Sequence, residues 1–185
     1  RDKLYSILIR NVQCYPQAFA AAAMMLGELA TVPRALILDV GGFTADYLLL
    51  KNGRADLSTC DSLENGVILL YNRIRSKASS DLDILLEETD VDAILLQGQG
   101  SSYGEEVAAL VEYQVQEFVN DMLGALRERQ LDLRTGRVIF VGGGACLLRR
   151  QIETSGKVAH PVFVEDVNAN AKGFEYLYRC TVTGA

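Results

Sequence analysis

Ile37-Leu38-Asp39-Val40-Gly41-Gly42-Phe43-Thr44-Ala45-Asp46-Tyr47-Leu48-Leu49-Leu50 is the stretch that decides the fold. An apolar run ends in a carboxylate, a glycine turn follows, and a second apolar run leaves it. The first run reads as a buried strand over Leu36–Val40, the second as a strand over Ala45–Lys51. Asn52-Gly53 then closes a hairpin with Arg54–Thr59, because both residues accept the positive φ of a two-residue turn. Downstream, Val138-Ile139-Phe140-Val141-Gly142-Gly143-Gly144-Ala145-Cys146-Leu147-Leu148 repeats the strand–glycine plan and enters a helix. Two glycine turns at strand ends mark two close backbone approaches to one ligand. The first turn carries Asp and Thr, which suit a metal and phosphates. The second is uncharged, which suits a flat base and a sugar. Together they point to a nucleotide.

The 185 residues are 49% hydrophobic, enough for one domain with a sizeable core or two small lobes. A net charge of -6 with scattered basic residues disfavours direct nucleic-acid binding. The longest apolar run, Ala18–Leu26, is too short to span a bilayer and reads as a buried helix. The chain starts at Arg1 with no signal peptide, as expected of a piece of a longer protein. Cys14, Cys60, Cys146 and Cys180 form no CxxC pair and are expected to be reduced, buried and structural. His160, the sole histidine, precedes Pro161 in a surface loop.

Around the two turns the other elements fall into place. Leu4–Ile9 reads as a short strand. Pro16 opens a helix at its first turn, where a missing N–H costs nothing, and the helix runs to about Ala30, ahead of Pro33. Ser62 or Asn65 is expected to cap a helix over Val67–Ser76, broken at Ser79-Ser80-Asp81. A short helical piece over Leu82–Glu88 and an apolar run over Ala93–Leu96 follow, then a loop over 97–102. The longest helix spans Tyr103 to about Gln130, with Val107, Leu110, Val111, Val115, Phe118, Met122, Leu123 and Leu126 on one face. A helix from near Ala145 to Gly156, a strand over Val162–Val164 and a helix over Asn168–Arg179 complete the chain. Gly173 inside the last helix costs about 1 kcal/mol against Ala, so a neighbour is expected to pack closely there. This order gives an α/β fold with a mixed sheet and helices on its faces.

The chemistry centres on Asp39. A carboxylate at the C-terminal end of a buried strand faces the crevice where such sheets bind ligands. Its hard oxygens suit Mg²⁺, usually through water. Gly41 and Gly42 let backbone N–H groups near phosphate oxygens, Phe43 shares their turn, and Thr44 adds a hydroxyl donor. Asp46 is placed to return to the same metal. Gly142, Gly143, Gly144 and Ala145 form the second approach. Gln17, at a helix start, cannot act as a general base but can orient a water for in-line attack. Asp39, Asp46 and Gln17 are therefore the catalytic candidates.

With these residues the chain resembles the C-terminal half of an actin-fold ATPase, the superfamily of actin, the Hsp70 ATPase domain, sugar kinases and bacterial filament proteins. Asp39–Asp46 resembles its second phosphate motif and Val138–Leu148 its adenosine motif. Asn170-Ala171-Lys172-Gly173-Phe174 resembles its second connecting-helix motif, where a small residue lets helices cross. Val40–Asp46, Asp61–Val67, Ala169–Phe174 and the Tyr15-Pro16-Gln17-Ala18 entry are most similar to ParM/StbA-like plasmid-segregation actins. The resemblance implies a ribonuclease-H-like fold with a mixed five-stranded sheet and a smaller, mostly helical insert. The larger subdomain falls at 1–65 plus 135–185 and the insert at 66–134. ATP (or GTP) with Mg²⁺ would lie in a cleft against an N-terminal half, in a bacterial cytoplasm, with no membrane contact. Hydrolysis would time filament disassembly, and a DNA-binding adaptor would link filament to plasmid. A non-filament ATPase or kinase of the superfamily, or a degenerate scaffold, are the alternatives. The first phosphate motif and first connecting helix have no counterpart here, so the chain alone is expected to bind nucleotide weakly and hydrolyse it negligibly.

Overall fold

Five strands assemble around the decisive stretch in a computed structural model that describes residues 4–97 and 103–183. β1 (Arg34–Val40), β2 (Ala45–Lys51), β3 (Arg54–Leu63), β4 (Arg137–Val141) and β5 (Pro161–Phe163) form one sheet in the order β3-β2-β1-β4-β5. β1 pairs antiparallel with β2 and parallel with β4, so the sheet is mixed and β1 is its centre. The β2–β3 hairpin turns on Asn52 and Gly53, with φ of 49° and 74°. This is the α/β arrangement that the glycine-turn spacing predicts.

Strand side chains alternate between two cores, as the two-residue repeat requires. Leu36, Leu38, Val40, Tyr47, Val138 and Phe140 share one face with α3 (Val67–Leu82), α4 (Glu88–Gln97) and α5 (Gly104–Glu128). Within 66–134 the described elements are all helices. The predicted α5 stripe is buried apart from Leu110, which is partly covered, and Ala108 and Val119 join it. Ala35, Ile37, Leu48, Leu50, Ile139 and Val141 point the other way. They meet α1 (Gln17–Ala21), α2 (Leu26–Leu29) and the start of α8 (Ala169–Thr183).

Several expectations need correction. Leu4–Ile9 is not a strand: it pairs with nothing among the described residues and its apolar side chains lie exposed. The Ala-rich helix is three pieces, α1, a 3₁₀ turn over Ala23–Met25, and α2. β3 runs on to Leu63, so Ser62 is a strand residue, and neither it nor Asn65 caps α3. Ser79-Ser80-Asp81 does not break α3, which ends when Asp83 takes up the left-handed conformation. The piece expected over Leu82–Glu88 is instead the connection to α4, and α4 absorbs Ala93–Leu96. The loop expected over 97–102 lies outside the described residues from 98 on. The helix after the second glycine turn is two short ones, α6 (Gly143–Leu147) and α7 (Arg149–Thr154). All four cysteines are free thiols, but Cys14 and Cys60 are exposed and Cys146 and Cys180 only partly covered. Cys60 falls on an exposed position of the edge strand, between Thr59 and Asp61. His160 is exposed, as expected.

Candidate functional site: two glycine turns over one buried carboxylate

The first glycine turn is folded by its neighbours rather than by its own side chains. Gly41 N–H donates to Thr44 O at 2.8 Å, closing the turn. The carbonyls of Gly41, Gly42 and Phe43 accept from Val67 N at 3.1 Å, Ile68 N at 2.9 Å and Gly66 N at 3.1 Å. The turn thus caps α3 with backbone, the reason no side chain is needed there. A trans peptide points its N–H opposite to its C=O. Three carbonyls committed to α3 therefore aim the N–H groups of Gly42, Phe43 and Thr44 away from that helix, as an anion-binding concavity requires. Gly41's N–H is spent inside the turn, so the N–H groups that face outward are those of Gly42, Phe43 and Thr44. Gly66 makes the arrangement possible: a Cβ there would sit 2.2 Å from Gly42 O. Its role has no counterpart in the sequence reading, although a glycine directly ahead of an apolar helix start is a visible signal.

Asp39 is the penultimate residue of β1 and is 3% exposed. The β1–β4 register sets Asp39 opposite Val141, which brings the second turn alongside. Gly142 there has φ of 89°, and a Cβ on it would fall 2.5 Å from Asp39 Oδ1 and 2.7 Å from Val40 O. Gly144 is equally confined, against Val40 and Val67, and Ala145 is fully buried below it. Gly143 differs, because a Cβ on it would meet only open space. Packing explains two of the three glycines and leaves the middle one facing outward.

Asp39 also draws in two helices. Asn170, in the first turn of α8, donates from Nδ2 to Asp39 Oδ2 at 2.6 Å. Gln17, the first residue of α1, lies close enough to the same carboxyl to draw it down, from an exposed position. One turn further along each helix, Ala20 and Gly173 meet so closely that a Cβ on Gly173 would lie 1.7 Å from Ala20 O. This crossing pins both amides over the end of β1. Burial pushes the Asp39 carboxyl above its ordinary value; the Asn170 bond opposes this, the nearby Asp46 charge adds to it, and the Gln17 amide opposes it.

Asp46 lies directly across the sheet from Asp39, and Ser62 directly across from Asp46. Ser62 Oγ donates to Asp46 Oδ1, and Thr44 Oγ1 donates to Oδ2 at 3.3 Å. Asp46 therefore holds both hydroxyls. Thr44's proton points inward to Asp46, which leaves its oxygen lone pairs, rather than a donor, for anything beyond it. Phe43 is 79% exposed at the tip of the turn. Gln17, Asp39, Asp46, the first turn and the second turn thus converge on one end of the sheet. Asn170 and Ser62 join them as polar partners that sequence reasoning did not assign to the site.

The residues present fit a hydrated divalent cation with phosphates. A buried carboxylate is flanked by three outward N–H groups. The Oδ1 of Asn170, bonded through its other amide atom to that carboxylate, is buried without a donor. A cation-bound water is such a donor. Among the described residues no group of three or more His, Cys, Asp or Glu could hold a metal directly, consistent with a cation held through water.

A family model described as "Archaeal actin homologue MreB-like, C-terminal" matches residues 37–154. No curated protein sequence matches the chain. Among solved structures, the fold is similar to that of Ta0583, an archaeal actin homolog, with a TM-score of 0.66 at 19% identity over 89% of this chain and 55% of that one. The same protein in complex with ADP gives 0.63. The Alp12 filament structure gives 0.63 at 16% identity, over 89% of this chain and 53% of its own. Bacillus thuringiensis ParM with ATP gives 0.54 at 13% identity, over 78% and 46%. The chain spans about half the length of these structures. No described helix is long and apolar enough to cross a membrane.

Proposed function

The chain belongs to the MreB-like, C-terminal family of archaeal actin homologues, and on that premise we propose that it forms one wall of a nucleotide cleft in an actin-like filament protein. One observation carries this reading: the second glycine turn closes to 2.5 Å, at a notional Gly142 Cβ, from the buried Asp39 carboxylate that precedes the first. Such closeness leaves the chain two backbone-lined approaches on either side of one acid. Gly42, Phe43 and Thr44 offer N–H groups to the phosphates of ATP (or GTP). Asp39 holds the waters of Mg²⁺, which when bound neutralises phosphate charge. The open side of Gly143 accepts the flat base or sugar. Gln17 orients the attacking water, and Asp46 fixes the Thr44 and Ser62 hydroxyls.

The other wall belongs to an N-terminal half of the same protein. Two exposed apolar features favour such a partner. The Leu4–Val12 segment exposes Leu4, Tyr5, Ile7, Leu8, Ile9 and Val12, and α8 exposes Phe174, Tyr178 and Val182 at four-residue intervals. Contiguous exposed patches of this kind mark interaction surfaces. Turnover in the completed cleft would time assembly and disassembly of filaments in the cytoplasm. Plasmid segregation through a DNA-binding adaptor, without direct DNA contact by this chain, is the cargo we favour.

The test is Mg-ATP-dependent light scattering and phosphate release by the full-length protein, beside Asp39→Ala. Assembly with hydrolysis, both lost in the variant, is the expected result. Hydrolysis without assembly would refute the filament reading in favour of a soluble enzyme, and neither would refute nucleotide turnover altogether.

A further inference from the structure

Asn170 belongs to no glycine turn, yet it makes the one side-chain hydrogen bond that links α8 to the end of β1, 131 residues away in sequence. Its carboxamide is split between two duties. Nδ2 is committed to Asp39 Oδ2 at 2.6 Å. Oδ1 is buried and accepts from nothing. An amide oxygen sealed from water without a donor is costly, and such a group calls for a partner that arrives later. Among the described residues, Gln151 Oε1 is the other buried side-chain atom without a partner, but it lies on α7 and its amide nitrogen is turned to Glu112 on α5. Only the orphan at Asn170 adjoins the carboxylate.

The backbone fixes the side of α8 on which Asn170 sits. Gly173, one turn on, is locked against Ala20, where a Cβ would stand 1.7 Å from the carbonyl oxygen. Residues i and i+3 of a helix share a face, so the crossing that fixes Gly173 also fixes the side of α8 that Asn170 presents.

We propose that Asn170 is a positioning residue for the cation. Its Nδ2 holds one oxygen of Asp39 in place, and its Oδ1 accepts from a water that enters with Mg²⁺ and nucleotide. The inference rests on the nucleotide reading above and adds to it a defined role for α8. Asn170 acts through Asp39 and the cation's water, not on the phosphates, so its contribution shows only when Mg²⁺ is present.

The experiment measures ADP binding by the full-length protein in excess Mg²⁺ and again in EDTA, by titration calorimetry. Asn170→Leu removes both polar atoms at similar volume, and Asn170→Ala guards against a packing fault peculiar to Leu; melting curves without ligand confirm that each variant is folded. Each variant is expected to bind ADP in EDTA as the unaltered protein does, and to lose about tenfold of the tightening that Mg²⁺ confers, the scale of one hydrogen bond to a charged group. Combined with Asp39→Asn, either change is expected to add little beyond Asp39→Asn alone, because both act on one unit. An unchanged Mg²⁺ increment, an equal loss in EDTA, or full additivity with Asp39→Asn would overturn the role of Asn170 while leaving the nucleotide reading intact. No ADP binding by the unaltered protein would overturn both.

Discussion

Replacing Gly173 by alanine is the sharpest test of how the site is held. In a helix interior, Gly→Ala ordinarily stabilises by up to about 1 kcal/mol, because Ala loses less backbone freedom on folding. At Gly173 the new Cβ would stand 1.7 Å from Ala20 O and 2.4 Å from Ala20 C. Carbon and carbonyl oxygen approach to about 3.3 Å in ordinary close contacts, so α1 and α8 must part by roughly 1.6 Å. The obstacle is backbone, which cannot swing aside as a side chain would. Overpacking of this kind costs about 1–3 kcal/mol, occasionally more. The net expectation is destabilisation by about 1–2 kcal/mol. Gly124 supplies the internal control: it lies inside α5, and a Cβ there meets nothing within 4 Å. Gly124→Ala is therefore expected to stabilise by about 0.5–1 kcal/mol. For a chain of this size 1 kcal/mol moves the melting temperature by about 2–4 °C, so the two alanines should fall on opposite sides of the unaltered protein, about 5 °C apart. Thermal and urea unfolding of the full-length protein read this directly. Equal stabilisation by both substitutions would refute the crossing. A destabilised Gly173→Ala that kept its Mg²⁺-dependent nucleotide affinity would show that the crossing does not position Asn170.

Three further outcomes follow from the site. Asp39→Asn is expected to abolish Mg²⁺-dependent nucleotide binding yet melt at or above the unaltered, metal-free protein at pH 7, since it removes a buried charge facing Asp46. The sign of the pH dependence is set by the raised carboxyl: the folded state holds the proton over a window above the ordinary carboxylate value, so stability from this group falls as pH rises through that window. The stability gap between Asp39→Asn and the unaltered protein should therefore widen with rising pH across the window and then level off; a gap that narrowed would contradict the burial. Gly142→Ala places an L side chain at φ of 89° with its Cβ against Asp39 and Val40 O, and is expected to cost about 2–4 kcal/mol in urea unfolding; a neutral result would dissociate the two turns. Tyr71→Phe removes the 2.5 Å bond from the Tyr71 hydroxyl to Asp92 that ties α3 to α4, and should destabilise by about 1–2 kcal/mol while leaving nucleotide binding untouched.

What the sequence made legible divides along a physical line. Features whose cause lies within a few residues were readable. Asn52-Gly53 announces its turn because only residues tolerant of positive φ fit there. The apolar alternation of β1 and β2 announces two buried faces, because a strand exposes each face at every second residue. Gly173 announced a close neighbour, because nothing local rewards a glycine in mid-helix. Features whose cause is a distant partner were not readable. Leu4–Ile9 has the composition of a strand, but a strand exists only where it pairs with another, and no described strand pairs with it. Ser62 has the composition of a helix cap, yet it pairs across the sheet with Asp46, and the glycine-turn carbonyls cap α3 instead. Asn170 stood in a motif read only for its glycine, although the same reasoning reaches it. A glycine that marks where a helix is crossed also marks the face of that helix turned toward the crossing, and the polar residue three positions before it lies on that face. Here that residue is Asn170, and the crossing helix begins with Gln17, itself three positions before the Ala20 carbonyl that touches Gly173. Two amides at matching offsets from one helix contact are thus brought to the carboxylate near the C-terminal end of the central strand. A close helix crossing, read as a coordinate rather than as a packing detail, locates the polar groups that converge on the site.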